Sequence, residues 1–397
     1  MSGQEFSKYE FKMESDVFKL DALPMRAFSN ITLTDSIFKF YPQSTVIVND
    51  RAGILVDNIY FIEGLEFTLQ LGNNEDGWLK NKYVWTRNDV SNIVVSDFVS
   101  GLVAFTLEYY GIQKDNPKAR AWSGNITTAV KDILQKDYEI TDTQYVTKTS
   151  GNRTRYQMNR SNYDFIKSLS DEAYNQSYPN SPFYTFFNSK GEFYFMSIGQ
   201  MFDQKPVATF KMQDSSFEDE GLIKSLQITS LGLNVSKYLY NQKIYKLDQN
   251  GNTSSENLFI KDYFYKSDPK TKLLIKKTDA NPLDYSSCSH LGIIDSNTEA
   301  EFYKGVKNNI FTNSNTMYRM VIVIEFDRLV CAGKVIELDI GSSNPRKPKG
   351  TEHSGKWLVL ESNTQMDYDG TPYMQLSIGR PGIPIDNTHP IYNDFEG

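Results

Sequence analysis

At 397 residues the chain is long enough for about two to four domains. Aromatic residues make up 14% of it, which favours large folded cores rich in β-strand and argues against disorder. The net charge of −7 excludes a broad basic surface of the kind that wraps nucleic acid, and two cysteines exclude a disulfide framework or a multi-cysteine metal site. The start MSGQEFSKYEF lacks a charged-then-apolar leader, and the run MVIVIEF is far shorter than the ~20 residues of a membrane helix. We therefore expect neither secretion nor membrane insertion.

Residues 1–111 are predicted to form a first β-barrel domain. Short strand-like segments dominate this region, and turn sequences separate them at roughly the 8 to 12 residue spacing of a sandwich or barrel. The segments are STVIVND, NIYFIEGLEFTLQL, KYVWTR, NIVVSDFVSG and LVAFTLEYY, and the turns are NDRAG, GNNEDG and SG. This pattern predicts an antiparallel barrel.

Residues 112–205 are predicted to form a small α+β domain, called the bracket domain below. Apolar residues recur at helical spacing in SGNITTAVKDILQ, where Asn125 or Thr127 could cap the helix. A second helix is predicted after Ser161, which has capping-box-like spacing to Asp164. FYTFF, the turn NSKG and EFYFMSI then indicate an aromatic hairpin. The residues predicted to form the structural core of this domain are Phe165, Ile166, Leu169, Phe193 and Phe195.

A second β-barrel domain is predicted from residues 206–247 and 316–380, split by a polar insertion at residues 248–315. Its strands are PVATFKM, GLIKSLQITSLGLNVSKYLY and QKIYKLD before the insertion, and MYRMVIVIEF, KVIELDI, KWLVLESNTQMDY and YMQLSIGR after it. The last two are joined by a turn at DYDG. Trp357, Val359 and Leu376 are placed on barrel strands. The insertion includes a predicted helix from Thr298 to Asn309, and residues 381–397 are predicted to be an extended C-terminal arm.

The predicted fold class is therefore β-rich α+β. It contains two similar antiparallel β-barrel domains per chain, an α+β bracket domain and an insertion.

Residue types suited to catalysis are scarce. His290, His353 and His389 are the chain's histidines, and all three fall in segments predicted to be loops, away from any nucleophile motif. Cys288 and His290 in SSCSH could form a thiolate pair, but a coincidence within a loop is the preferred interpretation. We predict no catalytic residue, no cofactor and no metal site.

Three polar stretches suggest sites that simpler interpretations explain better. The acidic run DSSFEDEG could supply glycosidase carboxylates, but nothing positions a second carboxylate, which favours a solvated loop. DQNGNTSSENLF begins like an EF-hand loop, yet Thr253 stands where that loop needs glycine and Phe259 where it needs glutamate, which favours a hairpin turn. The basic stretch NPRKPKG could meet phosphate or an acidic partner, with a solvated connection as the default interpretation.

Two segments resemble a known family. The first, YQMNRSNYDFIKSLSDEAYNQSYPNSPFYTFFNSKGEFYFMSI, combines an R-S-[ND]-x-D-F-I-x-x-L helix with a strand pair around a glycine turn, after a short helix. The second runs from VIVIEFDRLVCAGKVIELDI through HSGKWLVLESNTQMD to YMQLSIGRPGI and is similar to a set of closing barrel strands. Both resemble the central baseplate hub of contractile-tailed bacteriophages, which has relatives in the spike proteins of type VI secretion.

This resemblance implies a structural virion protein without enzymatic activity. It implies a homotrimer whose two barrels per chain form a pseudo-sixfold ring, matching a threefold spike to a sixfold tail tube. The expected partners are the phage spike protein, the tail tube or a tube-initiator protein, and other baseplate proteins. DNA would pass through the lumen without specific binding, and an acidic lumen would repel it. The bracket domain would lie outside the ring, and assembly into the tail baseplate would take place in the bacterial host cytoplasm.

Two other classes of protein stay open on the sequence alone. A carbohydrate- or receptor-binding β-sandwich tail protein would place its Tyr and Trp side chains on a binding face. The alternation of Phe193 and Phe195 favours burial on one strand face instead. A cell-wall hydrolase would turn over peptidoglycan, which we do not expect.

Overall fold

The computed structural model describes residues 9–16, 28–50, 64–95, 98–178, 181–212, 222–231, 241–247, 253–259, 287–293, 316, 318–340, 353–367 and 370–380. Antiparallel strands dominate these residues and helices are few, which confirms the predicted β-rich α+β class. The strands that precede the first α-helix are β1 (Glu10–Glu14), β2 (Phe28–Ser36), β3 (Gln43–Asp50), β4 (Glu66–Asn73), β5 (Gly77–Val95), β6 (Phe98–Tyr109) and β7 (Lys118–Trp122).

The later strands are β8 (Arg155–Arg160), β9 (Phe183–Phe187), β10 (Phe193–Ser197), β11 (Thr209–Met212), β12 (Ile223–Leu231), β13 (Asn241–Leu247), β14 (Thr253–Phe259), β15 (Ser287–Ile293), β16 (Tyr318–Glu325), β17 (Val335–Ile340), β18 (Gly355–Asp367) and β19 (Pro372–Arg380). The main sheet has the order β1-β4-β5-β6-β3-β2-β18-β19-β16-β12, with β17 paired to β18 and β11 paired to β17.

This sheet contains the same six-strand arrangement twice. The first strand unit comprises β1–β6, and the second comprises β11, β12 and β16–β19. When the six strands of each unit are numbered in chain order, both units have the order 2-3-6-5-4-1 in the sheet. The units differ at one pairing, because β1 is antiparallel to β4 whereas β11 is parallel to β17. The prediction of two similar barrel-like units is thereby confirmed.

β-Bulges support the equivalence of the two units. A bulge inserts an extra residue at a defined register position, so its recurrence marks corresponding positions. Bulges lie in the second strand of each unit, at Phe28/Asn30 and Ile223/Ser225. Bulges also lie in the fifth strand of each unit, at Trp85/Arg87 and Val359/Glu361.

The two units are joined edge to edge through β2 and β18, a contact called the internal joint below. Residues 30–36 of β2 pair antiparallel with residues 361–367 of β18, and Asn30 Nδ2 donates to Asp367 Oδ1 at 2.8 Å. The buried side chains of both units form one continuous cluster that includes Ile31 and Trp357. The predicted barrels are therefore two parts of a single hydrogen-bonded sheet.

Three helices lie between the units in the sequence: α1 (Ile126–Asp137), α2 (Asn162–Glu172) and α3 (Ile198–Phe202). A 3-10 helix spans Tyr110–Lys114. Asn125, rather than Thr127, caps α1 by accepting from Thr128 N at 2.9 Å. Ser161 caps α2 by accepting from Asp164 N at 3.0 Å, as its spacing predicts. No helix in the described part of the chain is long and apolar enough to cross a membrane.

Two strand assignments in the first unit are wrong. KYVWTR and the start of NIVVSDFVSG, residues 92–95, belong to one long strand, β5, and the last residues of NIVVSDFVSG, 98–101, belong to β6. Gly101 is consequently not in a turn, because it pairs with Asn92 across β5 and β6. A continuous ladder between two long strands overrides the local turn signal of serine and glycine.

QKIYKLD is wrongly assigned to the second barrel. Residues 242–247 of this segment lie in β13, which pairs with β14 and β15 in a separate three-stranded sheet. SSCSH is also wrongly predicted as a loop, since Cys288 and His290 lie in β15, parallel to β13. Both errors have the same cause. β13 and β15 pair with each other across a long stretch of sequence, and no local pattern indicates that contact.

Two of the predicted turns, at DQNGNTSSENLF and DYDG, are confirmed by the described residues that flank them. β13 and β14 pair antiparallel from Asn241↔Phe259 to Leu247↔Thr253, which confirms a hairpin in place of an EF-hand. The DYDG turn joins β18 to β19, with Gly370 N donating to Asp367 O at 2.9 Å.

Several predictions fall wholly or for the most part outside the described residues. They are the segments NDRAG, DSSFEDEG and NPRKPKG, the helix predicted from Thr298 to Asn309, His389 and the C-terminal arm.

Candidate functional site

The aromatic hairpin, β9 and β10, connects the bracket helices to the main sheet. Its strands pair antiparallel with Phe193 opposite Phe187, and every residue of both strands is buried. One face of the hairpin packs with α1 and α2, and the other packs with β17 and β18. Phe193 and Phe195 are buried on one strand face, as their alternation predicts, and the opposite face of the hairpin is buried as well.

The structure brings the residues predicted for the bracket core into one buried cluster. This cluster contains Phe165, Ile166, Leu169, Phe193 and Phe195. The residues predicted on barrel strands lie fully buried in the core of the main sheet, and they are Trp357, Val359 and Leu376. On the opposite face of the hairpin, Tyr184, Phe186, Tyr194 and Met196 pack with strand residues that include Val335 and Leu358.

A buried polar cluster lies where the hairpin turn meets β2 and the turn before β17. It is called the hairpin junction below and consists of Asp35, Asn188, Glu192, Cys331 and Lys334. Asp35 comes from β2, Asn188 and Glu192 from the hairpin turn, and Cys331 and Lys334 from the turn leading into β17. The hairpin junction thus collects side chains from both strand units and from the bracket domain.

Asp35 links all three parts with one carboxylate. It is 1% exposed, and it accepts from Ser189 N at 2.7 Å and from Ala332 N at 3.3 Å. Burial raises the pKa of Asp35 to about 6, although these backbone donors act in the opposite direction. A carboxyl group in this position holds the hairpin turn and the second unit against β2.

Lys334 supplies the positive charge of the hairpin junction. Its Nζ lies 2.8 Å from Glu192 Oε2, donates to Tyr145 Oη at 2.6 Å, and stands 4.2 Å from the centre of the Tyr145 ring. Burial alone would lower the pKa of Lys334, but the hydrogen bonds to Glu192 and Tyr145 outweigh it and raise that pKa. Lys334 is therefore a paired, charged anchor for the hairpin.

Asn188 organises the hairpin turn and reaches the second unit. Its Oδ1 accepts from Lys190 N at 3.1 Å and from Glu192 N at 3.0 Å, and its Nδ2 lies 3.2 Å from Cys331 Sγ. Burial raises the pKa of the Cys331 thiol well above its usual value. Cys331 is thus held as a protonated thiol, the form least suited to nucleophilic attack or metal ligation.

Gly333 allows the turn before β17 to approach the hairpin. Its φ is +83°, and a Cβ atom at this position would lie 2.7 Å from Phe186 Cζ. Its N–H donates to Val359 O at 2.9 Å, which fixes the turn against β18. Glycine satisfies both the positive φ and the close contact with the aromatic ring.

The hairpin junction is built to hold segments together. Lys334 pairs with Glu192, and burial keeps the Cys331 thiol protonated. The Asp35 carboxylate is bound by backbone donors from two segments. The sequence carries a signal for Asp35, since Ile31, Leu33 and Asp35 alternate on β2 and a polar residue occupies a position of core parity. Gly333 lies within VIVIEFDRLVCAGKVIELDI, one of the stretches that carry the resemblance, but no local pattern there indicates the distant contacts of this turn.

The other residues considered for chemistry lie in or beside two different sheets. His353 lies two residues before the start of β18, and its Nδ1 is hydrogen-bonded to Tyr318 Oη. Cys288 and His290 lie two residues apart on β15, in a strand that pairs with β13 and is remote in sequence from His353. Within the described ranges, no group of three or more His, Cys, Asp or Glu residues is arranged to hold a metal ion.

Comparison with solved structures identifies the fold. The tail protein from Neisseria meningitidis MC58 aligns with a TM-score of 0.59 and 8% sequence identity, over 94% of this chain and 97% of that one. The chain has the fold of a tail protein. The 43 kDa tail protein of prophage MuSo2 from Shewanella oneidensis gives the same result, with a TM-score of 0.58 and 8% identity over 94% of this chain and 98% of that one.

The tail-protein fold spans nearly the whole chain, so it includes both strand units and the bracket helices. The resemblance seen in the two sequence segments is confirmed at the level of fold. No protein-family model and no curated protein matches the amino-acid sequence.

Proposed function

We propose that this chain is a structural tail protein that forms a homotrimeric hub ring in a phage tail baseplate. The observation that carries the proposal is the repeated strand order 2-3-6-5-4-1, which gives each chain two equivalent units joined edge to edge. Three copies would supply six such units. The three chains of the ring would be related by threefold symmetry, and the six similar units would be related by approximate sixfold symmetry.

A ring with both symmetries can act as an adaptor. Its threefold character would fit the phage spike protein on one face, and its six similar units would fit a sixfold tail tube or tube-initiator protein on the other. The fold shared with two tail proteins supports this place in the virion. Other baseplate proteins would bind the outer surface, where the bracket domain (residues 112–205) is proposed to lie.

The proposed role is mechanical. The hairpin junction braces the bracket domain against both strand units, so that force applied to the bracket reaches the ring. DNA would pass through the lumen without specific binding, and the net charge of −7 is consistent with a wall that repels it. We propose no catalytic step.

Aromatic burial argues against the carbohydrate- or receptor-binding alternative. A glycan-binding face presents aromatic rings to solvent, whereas the rings of the hairpin, including Phe186, Phe187 and Tyr194, are fully buried. Specific glycan-array binding by the isolated chain would favour that alternative over the hub.

Native mass spectrometry, with light scattering, tests the proposed assembly. We expect a trimer of about three times the 45.6 kDa chain mass, either for the purified protein or on addition of the spike protein. A monomer under both conditions would overturn the hub proposal.

A further inference from the structure

The internal joint shows how one strand unit attaches to the next. β18 pairs with β17 along its first residues, Gly355–Leu358, and with β2 along its last residues, Glu361–Asp367. Both partners lie on the edge of β18 that is opposite β19. The end of a long fifth strand in one unit thus receives the second strand of the other unit.

β5 is the counterpart of β18 and has the same long form. It pairs with β4 along Gly77–Val84 and, on the other edge, with β6 from Tyr83 to Val95. Beyond Trp85, no strand in the described part of the chain pairs with the edge of β5 that is opposite β6. Matching the two bulges aligns residues 87–93 of β5 with residues 361–367 of β18, the segment that forms the internal joint.

β12 is the counterpart of β2, and no strand in the described ranges pairs along its edge opposite β16. Matching the bulges at Phe28/Asn30 and Ile223/Ser225 aligns Leu33 with Ile228. Among the described residues, a single bridge from Leu222 to Lys211 precedes β12 on this side, and no strand continues along it.

The side chains of β12 are more exposed than the equivalent side chains of β2, which a neighbouring strand covers. Leu33 is 4% exposed beside the internal joint, whereas the equivalent Ile228 is 38% exposed. Residues 224, 225, 227 and 229 of β12 are also exposed, whereas Ile223 is buried and Leu226 packs against the core of the main sheet. An open, accessible strand edge readily pairs with another chain.

We propose that β12 of one chain pairs antiparallel with residues 87–93 of β5 in a second copy, in the register of the internal joint. This inference rests on the proposed homotrimer and specifies its contact. The pair Leu33↔Thr364 of the internal joint becomes Ile228↔Val90 between copies, and Asn30↔Asp367 becomes Ser225↔Ile93. Each chain carries one donor edge and one acceptor edge, so a head-to-tail contact can close into a ring. Three copies would then be held by six equivalent joints, three internal and three between chains.

Paired cysteines test the register. The variant carrying Ile228→Cys and Val90→Cys is treated with a short bifunctional thiol crosslinker, in a Cys288→Ser background that leaves the buried Cys331. The control carries Ile228→Cys and Ser91→Cys, one residue out of register, which places the second thiol on the opposite face of the strand. We expect covalently linked trimers from the first variant and at least about tenfold less product from the control.

A charge substitution tests the contact without crosslinking. Ile228→Lys places an ammonium group on the open edge, where its exposure leaves the monomer fold intact. Met158→Lys is the matched control, because Met158 is 76% exposed on β8, in a different sheet. We expect the first variant to weaken trimer formation at least about tenfold and the control to leave it unchanged.

The outcomes separate this inference from the hub proposal. A native trimer that shows no register-specific linking and tolerates Ile228→Lys would overturn the β12–β5 contact and leave the hub standing. A monomer that gives no linked product would overturn both.

Discussion

The backbone N–H of Ser189 donates to the buried carboxylate of Asp35 across 154 positions of sequence, at 2.7 Å. The same carboxylate accepts from Ala332 N, so the hairpin turn, β2 and the second strand unit meet at one side chain. This contact ties the bracket domain to both units, and it makes the hairpin junction sensitive to the protonation of Asp35.

Asp35→Asn should flatten the dependence of stability on pH between about 4 and 6. The pKa of Asp35 is about 6 in the folded chain and about 3.9 in an unfolded one, so the folded state binds the proton more tightly. The stability that this group contributes is present at low pH and is lost as the pH rises through that window, by on the order of 2–3 kcal/mol. Urea denaturation at a series of pH values measures the difference between variant and wild type. An unchanged difference across the window would contradict the prediction.

Lys334→Met should destabilise the protein by about 3–5 kcal/mol, because it leaves the carboxylate of Glu192 without its buried partner. Lys190→Met is the matched control: Lys190 is more exposed and lies 3.9 Å from the same Glu192 side chain. We expect the control to change the free energy of unfolding by less than about 1 kcal/mol. Equal effects of the two variants, measured by chemical denaturation, would show that the Lys334–Glu192 pair does not anchor the hairpin.

Gly333→Ala should destabilise the protein by about 2–5 kcal/mol, since it combines an unfavourable positive φ with a steric clash against Phe186. Gly124→Ala separates the two causes, because Gly124 also has a positive φ of +118°, but a Cβ added there would meet no neighbouring side chain within 4 Å. The control should cost about 1–2 kcal/mol. If thermal unfolding shows the same loss of stability for both variants, the steric clash with Phe186 does not contribute to the destabilisation.

Elements with a local signal could be predicted from the sequence. α2 begins where Ser161 and Asp164 indicate a cap, because the cap is a contact between residues three positions apart. The turn after Asp367 and the strands on either side of it follow from the same kind of short-range pattern. The strand-rich units were predictable as regions of alternating and aromatic sequence.

Long-range pairing could not be predicted in this way. The assignment of β13 to its own sheet depends on Tyr245 lying beside His290, and the internal joint depends on Leu33 lying beside Thr364. No short-range sequence pattern predicts either of these contacts. Asp35 illustrates the intermediate case: strand parity indicates that it is buried, but only the fold shows that Ser189 and Ala332 satisfy it.

End-on electron-microscopy images of the assembled protein test the proposed adaptor role most directly. We predict a closed ring made of three chains that shows six similar lobes at low resolution and threefold symmetry at higher resolution. A ring of six chains, or a particle in which each chain contributes a single lobe, would contradict the claim that two equivalent units per chain convert threefold into sixfold symmetry.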